Sequence, residues 1–90
     1  MAKDIERDVW ELVWLRSMLA SGRARALVKT AGLSTATVGQ IIGCAQPNAW
    51  KALAGKQFPR RGSALKLAHL LQKLEVLDRA AEDSERVLRP

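Results

Sequence analysis

Between residues 12 and 74 the chain carries no carboxylate side chain. Asp4, Glu6, Asp8 and Glu11 precede that span, and Glu75, Asp78, Glu82, Asp83 and Glu85 follow it. Acids grouped at the two ends are poorly placed to form a carboxylate pair for general acid and base work in a basic cleft. Cysteine is as scarce: Cys44 stands alone, which excludes an internal disulfide and any cysteine-pair metal site. His69 is the only histidine and has no cysteine near it in sequence, so it is expected on solvated surface rather than on a metal. No glycine-rich phosphate loop and no Ser-His-Asp set is visible. Catalytic residues, a metal and a cofactor are therefore not expected, and the chain does not read as an enzyme. No apolar run approaches the roughly 18 to 20 residues of a membrane span, and the acidic, helix-forming start lacks the signal-peptide pattern. A cytoplasmic chain is expected.

What is present is a 90-residue chain that is 48% apolar, enough for one globular domain with a modest core. That length leaves no room for a separate sensor domain, so no small-molecule effector is expected. The net charge is +6, and the carboxylate-free span holds ten of the cations: Arg16, Arg23, Arg25, Lys29, Lys51, Lys56, Arg60, Arg61, Lys66 and Lys73. A span of that kind has a strongly positive potential and suits a polyanion whose phosphates release counterions when neutralised.

Apolar spacing divides the chain into helices. Residues 4–20 read as the first, with Asp4, Glu6 and Asp8 favouring its positive N-terminal end. Ile5, Val9, Leu12, Val13 and Leu19 are expected on its core face and Trp10, Trp14 and Met18 on a neighbouring one, so it is apolar around more of its circumference than one contact needs. Two readings of the tryptophans stay open. They close the small core against the last helix, or they lie across a two-fold axis between protomers. A second helix over 23–30 turns Ala24, Leu27 and Val28 inward and Arg23, Arg25 and Lys29 outward, where phosphates are the natural partners. The last helix, over 63–77, carries Leu67, Leu70, Leu71, Leu74 and Leu77 as a core stripe. Residues 78–90 mix both charges around Val87 and Leu88; they read as a charged tail that extends the helix or frays, with those two residues as dimer candidates beside Trp10 and Trp14.

The centre of the chain is the stretch 34–55, STATVGQIIGCAQPNAWKALAG. Ser34 can cap a helix whose Val38, Ile41 and Ile42 form one apolar face. Gly39 permits a close crossing by a second helix, and Gly43 ends the first in a conformation that other residues reach at a cost. Residues 46–54 form the second helix, with Pro47 in its first turn and Gly55 as a stop. Ala45, Ala49, Ala52 and Leu53 are expected inward, leaving Gln46, Pro47, Trp50, Lys51 and Ala54 outward. The loop 56–62, KQFPRRG, is expected to bury one aromatic and offer Lys56, Arg60 and Arg61.

The run GLSTATVGQIIGCAQPNAWKALAGKQFP, residues 32–59, resembles the helix-turn-helix of the Cro and phage-repressor superfamily, also called the Xre type. The matches are the Gly-Leu-Ser start, the small residue at Gly39, the Gly43 turn, Gln46 opening the second helix, Gly55 after it and Pro59 beyond. Gly39 and Ala49 depart from the usual alanine and larger aliphatic, and Ala45 from a common capping serine. Over residues 18–74 the resemblance covers most of the chain. It implies an all-α fold, a compact, lambda-repressor-like bundle of about five helices over residues 1–77. It also implies that residues 46–54 enter the major groove of double-stranded DNA. Gln46 then meets an adenine edge, Lys51 a guanine or a phosphate, and Trp50 a thymine methyl or a sugar unless it folds back onto the loop around Phe58; Pro47 completes the base-contact set. Arg23, Arg25, Ser34, Thr35, Thr37, Asn48, Lys56, Arg60 and Arg61 are the expected backbone contacts. One such module touches few base pairs, so a homodimer on a near-palindromic operator is expected, acting as a Cro-like or phage-type repressor by occlusion. Two other readings stand beside it: an antitoxin or adapter whose first helix binds another protein, and a DNA-bending recombination accessory factor.

Overall fold

The structure, a computed structural model, describes the backbone of residues 2–88 and the side chains of residues 6–83. Five helices follow in order: α1 (Ala2–Ser21), α2 (Arg23–Thr30), α3 (Thr35–Ile42), α4 (Gln46–Leu53) and α5 (Arg61–Leu88). No strand occurs among the described residues. The expected all-α bundle is what the chain forms.

Local chemistry sets the short central helices. Ser34, in extended conformation at φ −79° and ψ 159°, accepts the backbone N–H of Thr37 at 3.1 Å and so satisfies one donor that the first turn of α3 would leave open. At the other end Gly43 takes φ +77°, and the N–H groups of Gly43 and Cys44 both donate to the carbonyl of Gly39, at 2.8 and 2.9 Å. Cys44 and Ala45 make the turn, and Ala45 stands exposed as the N-cap of α4 with no side chain to bond there, rather than inward.

α5 is the axis of the bundle and packs on α1, α2 and α3. The largest fully buried side chains are Leu15, Val38, Ile42, Leu67 and Leu71, and Ala64 and Ala68 let the other helices approach α5 closely. Each such leucine, isoleucine or valine contributes about 1.5 to 3 kcal/mol by leaving water. α4 packs chiefly on α3, through Ala49, Ala52 and Leu53.

Several expectations are corrected. The buried side of α1 is Leu15, Met18 and Leu19, while Val9 and Val13 are exposed; a helix apolar nearly all round does not announce which face the core will take. Trp14 packs against the core, but Trp10 is 71% exposed, so the core reading holds for one tryptophan and fails for the other. Ile41 is exposed on α3 beside buried Ile42. α5 begins at Arg61 rather than at 63 and runs unbroken through residues 77 and 78 to Leu88, so the tail is helical as far as that residue. Leu77 is exposed, because it lies level with Thr30 and Ala31, where α2 ends and no helix remains to cover it. The side chains of Ile5, Val87 and Leu88 lie outside the described residues.

Candidate nucleic-acid interface

The approach of α4 to α3 depends on a missing side chain. A Cβ added at Gly39 would stand 2.8 Å from the carbonyl oxygen of Cys44 and 3.6 Å from the backbone nitrogen of Gln46. With glycine there, the turn folds directly onto α3 and α4 starts against it. The inner side of α4 is then taken up by Ala49, Ala52 and Leu53, and of the expected outer set Gln46, Pro47, Trp50 and Lys51 are exposed while Ala54 is not. Ala54 caps the C-terminal end and is half-buried.

Two grooves border α4. On one side Arg25 and Lys29 from α2, Leu33, and Thr35 from α3 line a groove with Trp50, Leu53 and Ala54. On the other, Asn48 shares a groove with Arg60, Gln57, Ser63 and the Gly43 to Ala45 turn. Among the described residues no carboxylate lines either groove. Beyond the C-terminal end of α4, the N–H groups of Lys56 and Gln57 both donate to the carbonyl of Lys51, at 2.9 and 3.3 Å, and turn the loop back over the helix. That return sets the Lys56 ammonium 4.6 Å from the centroid of the Trp50 ring. Trp50 is therefore met by the loop at Lys56, while Phe58 packs against the core under the Arg16 guanidinium, 4.3 Å from its centroid. At 46% exposure Trp50 still presents surface to solvent.

The expected backbone contacts divide into groups. Asn48 lies on α4, and Arg25, Thr35, Lys56 and Arg60 border it. Ser34 and Thr37 are bound to each other, with their hydroxyl oxygens 2.9 Å apart and the Ser34 oxygen also serving as the cap. Arg23 and Arg61 are turned to the terminal acids instead. Arg23 lies 3.5 Å from Asp78 and 3.9 Å from Glu75, and Arg61 donates to Asp8 at 3.1 Å. Both pairings link residues more than fifty positions apart, which no local pattern reveals. His69 is exposed, with Nε2 3.1 Å from a Glu11 oxygen. Gln57 and Ser63 were not singled out as contacts in the sequence; their one local signal is a place beside the cations of the KQFPRRG loop.

Among the described residues no group of histidine, cysteine or acid side chains is placed to hold a metal ion, and no helix is long and apolar enough to cross a membrane. Cys44 is half-buried against the core in the turn. No protein-family model, curated protein or solved structure matches the chain.

Proposed function

We propose that the protein is a sequence-specific double-stranded DNA-binding regulator of the Cro and phage-repressor kind, acting as a homodimer that occludes an operator. One observation carries the reading. α4 projects with an open outer side, and among the described residues the grooves on both its flanks are lined by cations and by no carboxylate. A helix framed in this way fits the major groove, with its base-reading residues in the middle and its phosphate partners to either side.

In this reading Gln46 offers a carbonyl and an amide to an adenine edge, and Lys51 donates to guanine or to a phosphate. Trp50 supplies apolar surface to a thymine methyl, and Lys56, seated on its ring, is drawn toward the adjoining phosphate. Arg25 and Lys29 hold one strand, Arg60 and Asn48 the other. If four or five of these cations in each protomer meet phosphates, log K falls with log salt at a slope of about −4 per half-site, or about −8 for the dimer. Each protomer reads one half-site, and the two are spaced by about one helical turn.

Binding titrations on Gln46→Ala and Arg60→Ala test the assignment. Gln46→Ala is expected to relax preference at one base pair per half-site, at a cost of about 1 to 3 kcal/mol. Arg60→Ala is expected to weaken all sequences alike and to reduce the salt slope by about one per half-site. Sequence-selective loss on Arg60→Ala would reverse the two roles.

A further inference from the structure

The outer side of α1 is apolar where a helix on the surface of a monomer should be polar. Val9, Trp10 and Val13 lie on the far side of the helix from buried Leu15, Met18 and Leu19, and Val13 is 55% exposed. Trp14, one turn after Trp10, carries this surface over to α5, where it shares a shallow groove with exposed Val76. None of these residues lines the grooves beside α4. A partner seated on Val9, Trp10 and Val13 therefore does not cover the two grooves beside α4.

The charges at its two ends identify the occupant. Glu6 stands exposed on the N-terminal side of the apolar strip and Arg16 on the C-terminal side, where stacking on Phe58 holds the guanidinium in place with its edge N–H groups open to an acceptor. An antiparallel helix that sets Glu6 against the partner's Arg16 also sets Val9 against the partner's Val13, and the reverse pairs follow by symmetry. Such self-complementarity is the signature of a two-fold interface, in which one patch serves both subunits.

We infer that α1 is the dimerisation helix, packing antiparallel on α1 of a second copy through Val9, Trp10 and Val13, with Glu6 and Arg16 fixing the register. This rests on the homodimer reading above and gives it a surface, but it does not require that DNA be bound. The interface is self-sufficient and leaves both α4 helices free.

Sedimentation equilibrium without DNA tests it, at concentrations from about 1 to 100 µM so that micromolar association is seen. The chain is expected to sediment as a dimer at the upper end. Val13→Glu is expected to leave it monomeric throughout. Glu6→Arg alone is expected to weaken pairing at least tenfold, and Glu6→Arg combined with Arg16→Glu to restore it to within threefold. Circular dichroism reads whether each variant is folded; if Arg16→Glu unfolds the chain by losing its stack on Phe58, Val13→Glu and Glu6→Arg still decide. A chain monomeric at every concentration, or a dimer that Val13→Glu leaves intact, overturns the inference. A titration of the same variants on a single half-site reads DNA contact separately, so failure of the α1 interface and failure of the DNA reading are told apart.

Discussion

The carbonyl oxygen of Cys44 lies 2.8 Å from where a Cβ on Gly39 would stand, so the turn between α3 and α4 occupies space that any other residue at 39 would claim. The obstructing atom is backbone, and a flexible side chain cannot give way in its place. Gly39→Ala therefore sets two effects against each other. Alanine favours the helix by about 1 kcal/mol, while forcing the turn off α3 costs about 1 to 3 kcal/mol. The clash is expected to win, with a net loss of stability seen as a lowered midpoint in thermal or urea unfolding. An unchanged or raised midpoint would mean that the turn has room to shift.

Ile41 and Ile42 are neighbours with opposite fates, at 44% and 1% exposure. Ile42→Ala is expected to cost about 2 to 5 kcal/mol, as a buried aliphatic truncated to leave a cavity. Ile41→Ala is expected to stay within about 0.5 kcal/mol, as an exposed substitution toward a better helix former. Urea unfolding of the two variants checks the pair, and equal losses would put α3 in a different rotation.

Asp8 holds Arg61 at the start of α5 by an exposed ion pair at 3.1 Å. Asp8→Asn is expected to change stability by less than about 1 kcal/mol, since exposed pairs are weak. Its larger effect should be on DNA. Arg61, released from the carboxylate, becomes available to a phosphate, and the slope of log K against log salt should steepen by about one per half-site. A slope identical to that of the unmodified chain would place Arg61 outside the reach of the duplex.

How far the sequence discloses this molecule depends on the range of the interaction. α3 carries its own start and stop in Ser34 and Gly43, and α2 its inward Ala24, Leu27 and Val28, although the spacing in α3 does not separate exposed Ile41 from buried Ile42. The outer side of α4 is legible for the same reason, since Ala49, Ala52 and Leu53 have one common face and Gln46, Pro47, Trp50 and Lys51 the other. α1 is not legible in this way. Val9 and Val13 satisfy a helical pattern as well as Leu15 does, and the choice between them is made by α5 and α2, distant in sequence. The length of α5 escapes notice because its leucine stripe loses its cover where α2 ends, while the sequence from 63 to 88 holds neither glycine nor proline to stop the helix. Of the site, the cations were visible and their partners were not: Arg23 meeting Asp78 and Arg61 meeting Asp8 are products of the fold alone.

The claim on which the rest turns is that the open side of α4 reads duplex sequence. Selection of bound duplexes from a random pool at about 0.15 M salt, where non-specific electrostatic binding is largely screened, tests it most directly. The account predicts enrichment of a near-palindromic motif with half-sites about one helical turn apart, and its loss at one position per half-site when Gln46→Ala is used for the selection. A pool that emerges without sequence bias, or a motif that Gln46→Ala leaves unchanged, would contradict it.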